Sequence, residues 1–240
     1  MANKELRNLL EQQELQYFPN PLDLEWGIGL RTDFLNVDIL SEAYLNGYFP
    51  WPDSSDSTVI PWANPLNRGV MVVEDANIPK SVAKIVKRKE FYLKIDTAFS
   101  EVIENCSQRI DGEDTWITNS IKEEYIKFHQ AGWAHSFEAY DSVTHQLVGG
   151  LYGVSVGQVF CGESMFYRKS GASKFALAKL IEILKKLNVL VLDTQMVTSV
   201  MENFGASYVD REDYLNVFYQ LRNKPISTEE FRQAASELEE

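Results

Sequence analysis

Residues 134–166 read AHSFEAYDSVTHQLVGGLYGVSVGQVFCGESMF and carry the strongest secondary-structure signal in the chain. The segment divides into three apolar runs, separated by a turn near 142–145 and by a second turn at Gly157. Short runs of this kind predict an antiparallel β-meander. The last run contains Glu163, where the apolar sequence should enter the core. An unpaired buried carboxylate is costly, so we expect Glu163 to be paired in the fold or retained for chemistry.

Helices and a further strand flank this meander. Helical periods extend over 97–109 and 119–132. After the meander, Ser170 or Ser173 is a candidate cap for a helix with an apolar stripe, and VLVLDTQ (189–195) predicts a strand buried on both faces. This order of elements predicts an α+β fold with an acyltransferase-like sheet.

The regions at the two ends of the chain differ in character. Residues 1–95 are rich in Pro, Asn, Asp and Trp with irregular spacing, which predicts a small N-terminal domain of loops and short helices. Residues 96–240 are regular and form the second predicted domain. Within that domain, SYVDR (207–211) predicts an edge strand, and the acidic tail predicts a helix that starts with a capping box at Ser227 or Thr228.

Asp193 and Gln195 lie two residues apart on the predicted buried strand and should share a face. Asp193 could accept a hydrogen bond from the Gln195 side-chain amide, which would turn the glutamine carbonyl outward as a fixed acceptor. Such an acceptor can hold an amine that attacks a carbonyl and take up its developing positive charge. Alternatively, both residues simply cap the next helix, and the pattern alone leaves the two interpretations open.

The charge distribution contains one exception to an acidic background. The net charge of −12 argues against a general nucleic-acid binder. The segment NIPKSVAKIVKRKEFYLK (77–94), however, predicts an amphipathic helix with a basic face on which a phosphate backbone could dock. The alternative is an ordinary solvated face. The basic residues concerned are Lys80, Lys84, Lys87, Arg88 and Lys89.

Aromatic residues form the second candidate binding feature. Phe49, Trp51 and Trp62 are interspersed with prolines and predict a satellite core, but flat rings near a basic face also suit the stacking of an unpaired base. Trp116 could provide a second aromatic ring on which a base can stack.

Several site types and locations are disfavoured. Three histidines and two distant cysteines form no ligand pattern, so we expect no metal, and the cysteine usage suits a reducing cytosol. We also expect no membrane span and no signal peptide.

In combination, these motifs resemble the leucyl/phenylalanyl-tRNA–protein transferases of bacteria. The resemblance runs in order over about residues 18–215, and its longer motifs are specific. They are FPNP (18–21), AYLNGYFPW (43–51), Trp62 with Pro65 and Arg68, TWI (115–117), AHSFE (134–138), LVGGLYGV (147–154), VFCGESMF (159–166), ASK (172–174) and LDTQ (192–195).

The resemblance implies a GNAT-like transferase domain preceded by a smaller N-terminal domain. It implies transfer of leucine or phenylalanine from charged tRNA to the N-terminal amine of proteins that begin with Arg or Lys, which marks them for degradation. The implied partners are therefore an aminoacyl-tRNA and an acceptor protein. An aminoacyl ester is already activated, so the reaction requires no cofactor.

Individual residues carry implied roles. Glu163 matches the catalytic carboxylate of the family, and Asp193 and Gln195 match its Asp–Gln relay. The implied substrate-binding residues are Trp51 and Trp116 at the terminal adenosine, and Leu151 and Phe160 in the amino-acid pocket. The helix from Lys80 to Lys89 matches the element expected to meet the acceptor stem of the tRNA.

The chain departs from the family pattern at several positions. Thr198 replaces an expected Asn, and Leu184 replaces a pocket Phe, so both are assigned to substrate binding with altered side chains. Arg31 and Thr32 replace a glycine pair, and Ala63 follows Trp62 where the family has a second Trp. Two rival functions are an acyl-CoA-dependent GNAT acetyltransferase and a non-catalytic tRNA-binding relative.

Overall fold

The computed structural model of the protein describes residues 16–108 and 115–238. In these ranges the chain forms eight α-helices, one short 3-10 helix at Pro21–Asp23 and ten strands. The helices are α1 (Val37–Leu45), α2 (Lys80–Arg88), α3 (Phe99–Ser107), α4 (Asn119–Gln130), α5 (Ala172–Lys186), α6 (Ser199–Asn203), α7 (Arg211–Leu221) and α8 (Thr228–Glu237). The strands are β1 (Ile28–Thr32), β2 (Phe49–Pro50), β3 (Ile60–Ala63), β4 (Asn67–Val72), β5 (Phe91–Ile95), β6 (Ala134–Asp141), β7 (Leu147–Val156), β8 (Val159–Tyr167), β9 (Val191–Gln195) and β10 (Ser207–Asp210).

The strands form two sheets, which confirms the predicted α+β class. The large sheet has the order β10-β4-β9-β8-β7-β6-β5, and a small sheet has the order β1-β3-β2. Strands β6, β7 and β8 form the predicted antiparallel meander. Within the large sheet β8 and β9 are the parallel pair, because α5 crosses over between them.

The ends of β8 and β9 separate from each other. Their pairing runs from Val159 and Val191 to Cys161 and Asp193, yet β8 continues to Tyr167. On its other side, β9 pairs with β4 through a bulge, since Thr194 is the extra residue between two successive pairs. A gap therefore opens in the middle of the large sheet, past Cys161 and Asp193.

Helices cover both faces of the large sheet. Successive side chains of β8 point to opposite faces, and apolar ones on both sides have to be buried. Cys161 packs in the core on one side with α1, α3, α4 and α7. Phe160 packs in the core on the other side with α5 and α8. Helix α2, which carries the predicted basic face, lies on that second side and contacts α5.

The predicted domain boundary near residue 95 coincides with the end of β5. Strands β4 and β5 both precede this boundary and pair in the large sheet with β9, β10 and β6, which follow it. The small sheet lies entirely before it. The division into residues 1–95 and 96–240 stays a prediction.

Most predicted helix ends are confirmed. Helix α1 ends just before Gly47, which has a φ of +76°, and α8 begins with a capping box formed by Ser227 and Glu230. The predicted edge strand is β10. The predicted serine cap of α5 is wrong, because the N-cap is Gly171 with a φ of +87°, a conformation that glycine adopts readily. No helix in the described part of the chain has the length and apolarity needed to span a bilayer.

Candidate active site

A cleft of about 580 Å³ occupies the gap between β8 and β9. The floor of the cleft is formed by Glu163 from β8 and Gln195 from β9. Its lining includes several apolar side chains of the large sheet and of α5, which are Leu151, Leu177, Leu180 and Leu192. The cleft thus combines an apolar pocket with a few polar groups at one place, which is typical of a small-molecule site.

Glu163 and Gln195 are joined directly across the floor. The Gln195 amide nitrogen Nε2 donates a hydrogen bond of 2.9 Å to Oε1 of Glu163. A carboxylate accepts and an amide NH₂ donates, so this contact fixes which way the glutamine amide points. The glutamine carbonyl oxygen Oε1 then remains as the acceptor of that side chain.

Glu163 lacks a full set of partners. Its second oxygen, Oε2, is buried and makes no hydrogen bond to the described residues. Burial raises the pKa of Glu163 from its ordinary value to about 7, although the Tyr44 hydroxyl and the Gln195 amide favour the charged form. A carboxyl group with a pKa near neutrality can exist in either protonation state at physiological pH.

Asp193 lies beneath the floor and is fully buried. Its carboxylate accepts hydrogen bonds from Nε and Nη2 of Arg68 at distances of 2.6 to 3.1 Å, and from the Tyr214 hydroxyl at 2.7 Å. Its Oδ1 also accepts a hydrogen bond of 2.9 Å from the backbone N–H of Gln195. Asp193 therefore bonds the backbone of Gln195 and not its side chain.

Both interpretations of Asp193 and Gln195 from the sequence need correction. The predicted hydrogen bond from the Gln195 side chain to Asp193 does not form, because the bulge at Thr194 breaks the alternation and the two side chains diverge. The capping alternative is also wrong. The cap of the following helix is Thr198, whose hydroxyl accepts from the backbone N–H of Met201.

The backbone at Gln195 is unusual. Gln195 has a φ of +61°, in the left-handed region that residues with a Cβ rarely adopt. It pairs with Gly69 of β4, where a Cβ would lie 2.6 Å from the backbone carbon of Met196. A glycine at residue 69 is therefore required for this close approach.

Four of the predicted substrate-binding residues line the cleft, namely Trp51, Trp116, Leu151 and Thr198. The rings of Trp51 and Trp116 are nearly parallel, with an angle of 8° between planes and 6.3 Å between centroids. Two parallel indoles at the wall of a cleft provide flat faces on which a base can stack.

Phe160 and Leu184 are not brought to the cleft. Both are fully buried, and Phe160 packs edge-on against Phe137 and Phe231 in the core beneath α8. Phe160 points to the opposite face of β8 from Cys161, and Leu184 lies on the buried side of α5. Of the residues predicted to form the amino-acid pocket, Leu151 lines the cleft. A direct role of Phe160 and Leu184 in substrate binding stays a prediction.

The predicted basic face lies on α2, which packs against α5. Lys80, Lys84, Lys87, Arg88 and Lys89 are all exposed on α2 or at its end. Ile85 of α2 packs against Gly171 at the start of α5, where an added Cβ would lie 2.6 Å from its side chain. Gly171 closely follows Arg168, which lines the cleft.

Titratable residues elsewhere do not suggest a metal site. Among the residues that the structure describes, no group of three His, Cys, Asp or Glu side chains is arranged to hold a metal ion. Cys106 and Cys161 are both buried free thiols.

Three contributors to the site were not identified as such from the sequence. Arg68 and Tyr214 hold Asp193, and Tyr44 lies close enough to lower the pKa of Glu163. Arg68 belonged to a recognised motif without an assigned role, whereas nothing local marks Tyr214. Its relation to Asp193 arises only when α7 packs on the sheet.

Comparisons with known proteins agree over most of the chain. Residues 70–219 match the family model described as Leucyl/phenylalanyl-tRNA protein transferase. A protein named leucyl/phenylalanyl-tRNA–protein transferase from Shewanella baltica (strain OS223) is 38% identical over 218 residues, which cover 89% of this chain and 90% of that protein. A protein of the same name from Shewanella halifaxensis (strain HAW-EB4) is 36% identical over 206 residues, which cover 85% and 86%.

Similarity to solved structures is much weaker. L-PGS from Bacillus licheniformis matches with a TM-score of 0.38 and 10% sequence identity, over 65% of this chain and 49% of that one. A likeness of this size supports no conclusion about fold or function.

Proposed function

Because this chain belongs to the leucyl/phenylalanyl-tRNA–protein transferase family and is an aminoacyltransferase, we propose that it transfers leucine or phenylalanine to protein N-termini. The donor is the charged tRNA, and the acceptor is a protein that begins with Arg or Lys. The observation that carries this proposal is the hydrogen bond between Glu163 and Gln195 on the floor of an apolar cleft.

The reaction makes modest chemical demands on the protein. The acceptor amine attacks the ester carbonyl, a C–N bond forms, and the C–O bond to the ribose breaks. The amine proton passes to the departing ribose oxygen. Because the ester is already activated, the protein has to hold a neutral amine in line with the carbonyl and keep water away.

Glu163 and Gln195 are suited to receiving the amine. Gln195 offers its carbonyl oxygen to an N–H of the amine, because its Nε2 is committed to Glu163. As a carboxylate, Glu163 stabilises the positive charge that develops on the nitrogen. In this proposal Glu163, and not Asp193, orients the Gln195 amide.

The walls of the cleft are suited to the donor. Trp51 and Trp116 provide stacking faces for the terminal adenosine of the tRNA, and Leu151 belongs to the apolar pocket for the amino acid. Thr198 stands at the cleft edge. Phe160 and Leu184 support this pocket from the core behind it, so they act through packing.

The exposed basic face of α2 is suited to the tRNA acceptor stem. Its cations lie on the helix that packs against the start of α5. Phosphate contacts of this kind position a nucleic acid without reading its sequence. The acidic remainder of the protein attracts an acceptor that begins with Arg or Lys.

Three broader proposals accompany this one. The transferase domain is GNAT-like, which is supported by a parallel strand pair that diverges around a cleft within an otherwise antiparallel sheet. The region before it forms a smaller N-terminal domain. The protein acts in the cytoplasm, where transfer marks its acceptors for degradation.

A labelled-transfer assay tests the proposed function. We expect radiolabelled leucine or phenylalanine to move from charged tRNA to a protein that begins with Arg or Lys, and not to one that begins with Asp or Gly. Gln195→Ala should lose transfer, whereas Gln158→Ala, on an exposed turn, should retain it. Binding of the charged tRNA without incorporation of label would favour a non-catalytic relative.

Binding of acetyl-CoA tests the remaining rival function, a GNAT acetyltransferase. A GNAT acetyltransferase binds a pyrophosphate at the start of a helix, but at the start of α5 the side chain of Ile85 of α2 packs against Gly171. We therefore expect charged tRNA, and not acetyl-CoA, to raise the melting temperature. A shift with acetyl-CoA alone would contradict the proposed donor.

A further inference from the structure

Arg68, Asp193 and Tyr214 meet beneath the floor of the cleft. They come from β4, β9 and α7, and Arg68 lies 125 residues before Asp193. Arg68 places Nε and Nη2 on the two oxygens of Asp193, and the Tyr214 hydroxyl donates to Oδ2. A two-pronged contact of this kind fixes the orientation of a carboxylate as well as its charge.

The guanidinium of Arg68 is itself held on every side. Its side chain is 2% exposed, and the guanidinium lies over the rings of Phe49 and Tyr214, with centroid distances of 4.5 and 4.8 Å. Its Nη1 donates to the backbone carbonyl of Gly47 at 3.1 Å. Arg68 therefore has no freedom to move without the segments that surround it.

The carboxylate held by Arg68 controls the backbone of Gln195. Oδ1 of Asp193 accepts the N–H of Gln195, whose φ of +61° is unfavourable for a residue with a Cβ. That backbone conformation directs the Gln195 side chain across the gap to Glu163. Asp193 does not line the cleft and is completely buried, so its effect on the reaction passes through Gln195.

We propose that Arg68 is a positioning residue for aminoacyl transfer, because it orients Asp193 so that its Oδ1 holds the Gln195 backbone and aims the Gln195 amide at Glu163. The inference rests on the proposed function, since it assigns a role within that reaction. It also changes the role of Asp193. The charge of Asp193 is matched by Arg68, and the property that serves the reaction is its oriented acceptor oxygen.

A neutral version of the pair tests this role. Asp193→Asn keeps an oxygen acceptor at Oδ1 for the Gln195 N–H, and Arg68→Met keeps an apolar stem between the two rings. Either change alone leaves one buried polar partner unmatched. The double variant removes both charges together, and such replacements are often well tolerated.

The measurement is kcat and KM for leucyl transfer, taken at a temperature where circular dichroism shows every variant folded. We expect each single change to lower kcat about 10²-fold, with little change in the KM for charged tRNA. The double variant should regain stability but stay within about 10-fold of the single variants in kcat, because no fork is left to orient the acceptor oxygen at residue 193. Arg68→Lys should also lower kcat, because an ammonium group supplies the charge without the fork.

Arg211→Met is the matched control. Arg211 is also largely buried, but it binds the backbone carbonyls of Asn64 and Leu24 and not Asp193. We expect it to lower the melting temperature while the kcat of the folded enzyme stays unchanged. If Arg68→Met behaves in the same way, Arg68 is only structural and the inference is overturned.

Two further results would overturn the inference. A folded double variant with the kcat of the parent would mean that the acceptor oxygen at residue 193 needs no fork to orient it. An Arg68→Lys variant with the kcat of the parent would mean that the fork is not needed. Failure of the proposed function is distinct, because the parent protein would then transfer no leucine at all.

Discussion

Glu163 and Asp193 carry carboxyl groups on neighbouring strands, the first residue half-buried at the cleft and the second fully buried, and the fold treats them in opposite ways. Asp193 is bound by Arg68 and Tyr214 and is closed off from the cleft. Glu163 has no cationic partner among the described residues, and one of its oxygens makes no hydrogen bond there. Both are linked to Gln195, one through its backbone and the other through its side chain.

The difference between the two acids shows that a cationic partner decides whether a carboxyl group has a structural or a chemical role. A buried carboxylate with a bidentate guanidinium partner is held in one orientation, so it can hold other groups in place. A buried carboxyl without a cation has a raised pKa, so its charge is available to a reaction. A carboxyl group thus serves as a fixed support on β9 and as a titrating group on β8.

The largest effect is expected when the paired acid is removed. Asp193→Ala leaves Arg68 buried without a counter-charge, which should lower the free energy of unfolding by about 3–5 kcal/mol. Chemical denaturation measures this loss. Asp210→Ala is the control, because Asp210 is exposed and makes no side-chain capping bond, and it should change stability by no more than about 0.5 kcal/mol. Equal losses in the two variants would remove the contrast between the acids.

Glu163, the acid without a cationic partner, should respond in the opposite way. Glu163→Gln should lower kcat for leucyl transfer by about 10²-fold, because the charge that receives the developing ammonium is gone. Its thermal stability should not fall, since a neutral amide replaces a carboxyl group that lacks a full set of partners. Glu202→Gln, an exposed change on α6, should leave both quantities unchanged. A stability loss in Glu163→Gln as large as that in Asp193→Ala would contradict the comparison.

The pH dependence should reveal Glu163 directly. Burial raises the pKa of Glu163 from 4.5 to about 7, so the transfer rate should rise about 100-fold per pH unit below 7, where both Glu163 and the acceptor amine must lose a proton, and about 10-fold per unit from 7 to 8. The acceptor amine titrates separately, near pH 8. In Glu163→Gln the inflection near 7 should vanish and the amine inflection should remain.

The raised pKa of Glu163 also determines whether the stability of the protein rises or falls with pH. The folded state holds the Glu163 proton more tightly than the unfolded state, so this stabilisation is complete below about pH 4.5 and is lost as the pH rises through about 7. The parent should therefore lose stability relative to Glu163→Gln over that interval. Melting curves of both proteins from pH 5 to 8 measure the difference. A constant difference would show that Glu163 does not titrate there.

Residues that line the cleft away from both acids should act on donor binding. Trp116→Ala should raise the KM for charged tRNA by about 10-fold, with a smaller change in kcat, because a stacking face for the terminal base is lost. Trp26→Ala is a matched control, since Trp26 is 82% exposed and does not line the cleft. Equal effects of the two changes would show that the indole stack is not a base-binding feature.

The smallest effect is expected on the surface of α2. Lys84→Ala and Lys87→Ala should each weaken tRNA binding and reduce the slope of log affinity against log salt by about 1. Lys224→Ala removes an exposed cation elsewhere and should leave the slope unchanged. Identical slopes of log affinity against log salt in all three variants would show that the basic face of α2 does not contact the tRNA.

Local patterns predicted much of the architecture. The meander, the buried strand, the edge strand and most helix ends follow from residue periodicity and from turn or capping residues, which act over a few positions. The cap of α5 was predicted wrongly, because Ser170 and Ser173 are both better N-caps than Gly171 by preference. The contact between Gly171 and Ile85 of α2, which no local rule includes, shapes that helix start.

The sequence by itself determined the α+β class, the family and the presence of Glu163, Asp193 and Gln195 on adjacent strands, because strand alternation and motif order are local properties. Only the tertiary structure decided which of these groups bond to one another. A bulge at Thr194 turned the Asp193 and Gln195 side chains apart, and Arg68, 125 residues from Asp193 in the chain, supplied its partner. Ion pairing and burial depend on which distant segments meet, and that meeting is set by the packing of the whole sheet.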